Sequence, residues 1–257
     1  MPTMTRLNLP VYFSTNDKHT ICLKVCAELY EKFWEGQEFN VLGYTPIDLG
    51  ELGTFHSMGK QGTVQEWSTD LRQYFEKIED DFFIYGSEDV AFVERTDVES
   101  LNRLTEIIED DPTIGRINLV DPCEGGEWYT RENNPHYKTI LYEDFGDWGL
   151  YEQTRESNYA VTTQLSIWSK EFFLRHCQAG LTPWEFEVKG SSNALKDGDY
   201  RVLMVYGDKY PINKREAFES GEWDRKEDWF HLLSPELREE INLWDQEEKH
   251  KIFYSRT

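Results

Sequence analysis

Over its first 120 residues the chain alternates short β-forming runs with helical periods, and this alternation restricts the fold more than any other feature. "NLPVYFST" (8–15) precedes a stretch in which Ile21, Val25, Leu29 and Phe33 recur at helical spacing. "FNVLGY" (39–44) is a second β-forming run. "FHSMGKQGTVQEW" (55–67) carries the glycines of a flexible loop and leads into a helix bearing Trp67, Leu71, Tyr74, Phe75 and Ile78. "DDFFIYG" (80–86) is a third strand, closed by Gly86. A helix over 97–110 follows with Asp97 as its cap, and "IGRINLV" (114–120) supplies another strand. Strands separated by helices cannot pair as hairpins, so the pattern predicts an α/β fold with a parallel sheet and right-handed crossovers.

The second half reads differently. Residues 121–158 are rich in Gly, Asn, Pro, Trp and Tyr and lack a helical period. They predict an irregular excursion, or short antiparallel strands, covering one side of a site. Residues 159–177 read as a strand entering a helix, 182–195 as a turn with an irregular helix, and 200–207 as a last strong strand. The polar, aromatic tail from about 209 carries one further helix near 234–251. No repeat or linker composition interrupts the chain, and one domain over 1–257 is expected.

Charge excludes several functions. With 49 acidic against 27 basic side chains and a net charge of -22, the surface is unsuited to binding nucleic acid or anionic membranes in general. No stretch has the length of a membrane span and the N-terminus lacks the order of a signal peptide, so a soluble, cytoplasmic protein is expected. The cysteines at 22, 26, 123 and 177 show no metal or disulfide spacing, and Cys22 and Cys26 read as small buried hydrophobes on one helix. None of the six histidines is coupled by sequence to a nucleophile. The dinucleotide, P-loop, hydrolase and zincin signatures are all missing.

What remains is carboxylates and aromatics, a set suited to a hard cation and a sugar. In "YGSEDVAF" (85–92) the acids Glu88 and Asp89 follow the end of a strand, where open α/β sheets bind ligands; the same acids could instead cap a following helix. In "TPWEFE" (182–187) Glu185 and Glu187 flank aromatic residues after a Pro-defined turn. A literal D-x-D at Asp197 and Asp199 precedes a strand instead of ending one and reads as a turn.

Glu88 and Asp89, then Gln164, Trp168 and Lys170, then Pro183, Trp184, Glu185, Phe186, Glu187, Gly190 and Ser191 together resemble the glycosyltransferase-like proteins of GT-A fold found in bacterial polysaccharide clusters and in viruses. The resemblance spans residues 88–191, and its most specific element is P-W-E-F-E. It implies a GT-A-like three-layer α/β/α architecture with a mostly parallel, mixed central sheet. It implies a nucleotide-sugar-binding half over 1–120 and an acceptor-side half with the C-terminal tail over 121–257. On this reading Thr15, Asn16, Asp17, Glu88 and Asp89 meet a nucleotide-sugar donor, with Asp89 holding Mn²⁺ or Mg²⁺. Trp184, Gln164 and Trp168 meet a carbohydrate or other hydroxyl acceptor, and Glu187 or Glu185 is the catalytic base. The family commonly carries D-x-D at the strand end, whereas Ser87 stands here in place of the first Asp. Two further readings are a GT-A-fold binding or assembly protein without activity, and a viral enzyme that glycosylates a modified DNA base.

Overall fold

The computed structural model describes residues 7–120, 134, 136–207, 209–219, 222–223 and 229–255, with the backbone alone for 219, 222 and 246–255. Cys123 and residues 121–133 and 135 of the expected excursion lie outside the described residues.

The elements run β1 (Val11–Ser14), α1 (Thr20–Phe33), β2 (Phe39–Gly43), β3 (Gly53–Ser57), α2 (Glu66–Phe75), β4 (Phe82–Ser87), β5 (Val90–Phe92), α3 (Val98–Asp110) and β6 (Ile114–Asn118). After them come β7 (Thr139–Asp144), β8 (Trp148–Gln153), β9 (Ser166–Ser169), α4 (Lys170–His176) and α5 (Pro183–Glu185). A π turn (Phe186–Gly190) joins α5 to α6 (Ser191–Asp197). The chain closes with β10 (Arg201–Gly207), the short strands β11 (Lys214–Glu216), β12 (Phe218–Glu219) and β13 (Glu222–Trp223), a 3₁₀ turn (Phe230–Leu232) and α7 (Pro235–Ser255).

Nine strands form one mixed sheet in the order β3-β2-β1-β4-β9-β6-β10-β8-β7. The neighbours β3, β2, β1 and β4 are mutually parallel, although β3 follows β2 without an intervening helix, and β10 is parallel to β6. β9 enters antiparallel between β4 and β6, and β8 is antiparallel to both β10 and β7. Alternate side chains feed opposite layers, as the two-residue period of a strand dictates. Val11, Phe13, Val41, Ile84 and Ile167 join one core with α1, α3 and the start of α7. Tyr12, Leu42, Phe83, Tyr85 and Trp168 join the other with α2, α4 and α6. The three-layer α/β/α architecture with a mixed central sheet is therefore present.

Two details depart from the sequence expectations. Residues 55–57, read as the start of a loop, belong to the edge strand β3, whose half-exposed residues give no apolar run to read. β7 and β8 are short antiparallel strands, as one of the two readings expected, but they extend the far edge of the sheet through β10 rather than covering a site. Cys22 and Cys26 are fully buried on α1, where burial pushes both thiols upward. Asp97 caps α3 by accepting from the Ser100 N–H at 3.1 Å. Asp197 and Asp199 both pair with Arg175 around the left-handed Gly198, which makes that D-x-D a turn.

His176 ends α4 inside the second layer, its ring 4.6 Å from that of Phe172, and burial pulls its pKa down to about 4. The unfolded chain therefore takes up a proton first as pH falls from the ordinary 6.5, and stability is lost down to about 4. That loss is roughly 3 kcal/mol for this one side chain. Urea unfolding at about pH 7 and pH 4.5 is expected to show a smaller drop in His176→Leu than in wild type, and equal drops would mean that His176 is not held neutral.

Candidate functional site

β1 and β4 lie side by side and parallel, so their carboxyl ends open on the same edge of the sheet. β9 runs the other way, so the segment that enters it lies at that edge too, and the Ser87 N–H donates to the Thr163 carbonyl at 3.0 Å. Gly86 permits this contact: a Cβ there would stand 2.9 Å from the Leu165 side chain and 3.1 Å from its Cα. The three segments, with the loop before α2 and the Pro183–Glu187 turn, enclose a cleft of about 820 Å³. Its lining includes the polar Ser14, Thr15, Asn16, Ser87, Glu88 and Asp89 and the apolar Val64, Trp67 and Trp184. Lys18, His19, Tyr44, Thr163, Glu187 and Phe218 are further lining residues. A larger concavity of about 1010 Å³ lies between α1, the β2–β3 connection and α7, but none of the residues singled out in the sequence lines it.

The strand-end acids have separate environments. Glu88 is 6% exposed and its Oε1 lies 3.5 Å from His19 Nδ1, with the Thr15 hydroxyl donating to the same oxygen at 3.4 Å. Burial pushes the Glu88 carboxyl upward, and its hydrogen bond pushes the His19 imidazole upward. Both shifts act in one sense: the pair keeps its shared proton to higher pH than either group would alone. Asp89 faces the cleft, accepting from the Ser87 hydroxyl at 2.5 Å, while its backbone carbonyl accepts from the Ala217 N–H at 2.8 Å. No helix follows these acids; β5 begins at Val90, so neither is a helix cap. Ser87 thus orients the Asp89 carboxylate.

Glu187 reaches the cleft through a local irregularity. Thr182 and Glu185 form a reciprocal capping box, and the π turn that follows buries Phe186 while turning Glu187 inward. Glu187 Oε1 accepts from the Thr163 N–H at 2.7 Å and from its hydroxyl at 2.9 Å. Among the described residues Oε2 makes no hydrogen bond. Burial raises the Glu187 carboxyl above the usual range despite the Thr163 bonds. Trp184, on the turn before it, is 76% exposed at the cleft mouth.

Of the residues singled out in the sequence, Thr15, Asn16, Glu88, Asp89, Trp184 and Glu187 meet at this cleft, and four do not. Asp17 is exposed and fastens the β1–α1 turn, its N–H donating to Gln61 Oε1 and its Oδ1 accepting from the Thr45 N–H, each at 2.9 Å. Glu185 is consumed by its cap and by an ion pair with Lys189 at 2.6 Å, which holds its carboxyl below the usual range. Gln164 is turned away, with Oε1 buried; its neighbour Thr163 is the lining residue. Trp168 is fully buried on β9 beneath the Arg116 guanidinium, so it packs the core and is closed to an acceptor.

His19, Tyr44, Trp67, Thr163 and Phe218 were missed. His19 directly follows the polar β1 turn and could have been read with it. The others carry helical or β periodicity and gave no separate signal.

No protein-family model matches the chain, and no curated protein is similar to it in sequence. Among solved structures the chain is similar to CMP:2-keto-3-deoxy-manno-octonic acid synthetase complexed with CTP, at 9% identity and a TM-score of 0.39, over 76% of this chain and 87% of that one. Likeness at that level bears on neither substrate nor reaction.

The two tryptophans separate packing from recognition. Trp168→Ala is expected to destabilise the fold by about 3–5 kcal/mol, whereas Trp184→Ala is expected to stay within about 0.5 kcal/mol of wild type. Denaturant unfolding of both variants checks this, and near-equal losses would contradict the placement of either ring.

Proposed function

We propose that the chain is a GT-A-type glycosyltransferase that moves a sugar from a nucleotide-sugar donor to a carbohydrate or other hydroxyl acceptor in the cytoplasm. The observation that carries this reading is the convergence of Asp89 and Glu187 at one cleft. They lie more than ninety positions apart in sequence, Asp89 just past the end of β4 and Glu187 on the π turn, and both line the cleft beside the carboxyl ends of the parallel strands β1 and β4. Ligands of open α/β sheets lie at such strand ends.

Thr15 and Asn16 on the β1 turn would meet the nucleoside, and the indole of Trp184 would stack on the acceptor. Mn²⁺ or Mg²⁺ fits the donor set. Among the described residues no group of three or more His, Cys, Asp and Glu side chains could hold a metal ion by itself. Cations of this kind take one or two carboxylates together with substrate phosphates and water. Asp89 supplies such a carboxylate, and Ser87 holds it in place. The cation, when bound, would neutralise charge on the leaving diphosphate.

The chain's own step is proton transfer. In a direct displacement the acceptor oxygen bonds to the anomeric carbon, and the bond from that carbon to the diphosphate oxygen breaks. The hydroxyl proton passes to Glu187 Oε2 and the nucleoside diphosphate leaves with the bonding pair. Burial supports this role because it raises the proton affinity of the carboxylate.

Asp89→Asn is expected to fold normally and lose transfer. Glu187→Gln is expected to lower kcat and kcat/KM together by about 10²–10⁴-fold, with donor affinity nearly unchanged. Nucleotide-sugar turnover with and without Mn²⁺, with melting curves as a folding control, tests both. Wild-type turnover in Glu187→Gln would remove it as the base, and binding of no nucleotide at all would sink the reading.

A further inference from the structure

The cleft has a charge problem that its proposed ligand would worsen. Its charged lining residues are Glu88, Asp89 and Glu187 against Lys18 and His19. A diphosphate adds further negative charge, so any site for it needs positive charge that is already in place.

We propose, resting on the nucleotide-sugar reading above, that His19 is the protein's own diphosphate-binding group and grips the donor directly, independently of the divalent cation. Three observations fix this side chain. Its ring is paired with Glu88 at 3.5 Å and sits edge-on to Phe218 with 5.5 Å between centroids, so its orientation is set before a ligand arrives. The Glu88 side chain is 8% exposed and that of His19 37%, so the pair buries its acid end and offers its imidazole to the cleft. His19 is also the N-cap residue of the fourteen-residue α1, whose first turn contains no acid and no side-chain cap, so the positive end of the helix dipole adds to the imidazolium. Lys18 is exposed on the same turn and supplies charge without fixed direction. A preorganised imidazolium loses little entropy on gripping a phosphate oxygen, which sets His19 apart from its neighbour.

This role is separable from metal binding at Asp89. Calorimetry in EDTA, using the 5′-diphosphates of uridine, guanosine, cytidine and adenosine against their parent nucleosides, tests it. Wild type is expected to bind its preferred diphosphate more tightly than the matching nucleoside even without metal. His19→Gln is expected to weaken the diphosphate roughly 10- to 100-fold and leave the nucleoside unchanged, the scale of one lost charge-assisted hydrogen bond. His19→Lys, which keeps a cation, is expected to retain most of the preference and serves as a second variant should the glutamine fold poorly. Unchanged diphosphate affinity in His19→Gln, or an equal loss of nucleoside and diphosphate, overturns the assignment while leaving the glycosyltransferase reading intact. If no diphosphate binds the wild type, both fall together.

Discussion

Arg116 is the group on which the geometry of the cleft depends. It stands on β6, is 1% exposed, and donates to the Ser166 hydroxyl, the Thr162 hydroxyl and the Ala160 carbonyl at 2.5–3.1 Å. Its guanidinium carbon lies 4.9 Å from the centre of the Trp168 ring. These partners are all neutral. A cation removed from water survives on such acceptors only when they meet its donors together, so moving the 160–166 segment would leave a buried charge unpaired. Burial pulls the Arg116 pKa down to about 10, which leaves the side chain charged in neutral solution. The segment is thereby held rigid, and at its centre Thr163 carries both the backbone bond from Ser87 and the two bonds to Glu187.

One buried cation thus sets the spacing between acids that arrive from opposite halves of the chain. The π turn completes the arrangement. In an ordinary helical turn Glu187 would follow the register of α5; the wider turn lets Phe186 enter the core while Glu187 faces the cleft and Val188 remains 60% exposed. Ser191 locks the far end of the turn, its hydroxyl accepting from the Val161 N–H and donating to the Val161 carbonyl, each at 2.9 Å. The same short segment is therefore bound to the Arg116 frame from two sides.

The acids at the cleft are distinguished by their surroundings rather than by their type. Glu88 is committed to His19 and Thr15 in the interior, Asp89 is held out by Ser87, and Glu187 is half-buried with one oxygen occupied. Three carboxylates in one cleft would repel each other if all were equally charged. Burial raises the carboxyls of both Glu88 and Glu187, each held by its own hydrogen-bond partners.

The sequence by itself determined the β-α alternation of the first 120 residues, the helix cap at Asp97 and the burial of Cys22 and Cys26, and it marked two acid-bearing stretches. Periodicity and turn chemistry are local, and the first 120 residues fold by local rules. It could not determine which residue of each stretch faces the cleft. Trp168 and Trp184 look alike in sequence, yet one lies on a strand sandwiched between layers and the other on an exposed turn. Glu185 and Glu187 are separated by one residue, and only the capping box and the π turn send one to a lysine and the other to the cleft. His19 and Thr163 acquire their partners 69 and 24 positions away, at Glu88 and Glu187. The first pairing depends on β1 lying parallel beside β4 and the second on β9 entering antiparallel between β4 and β6, long-range choices that no local period encodes.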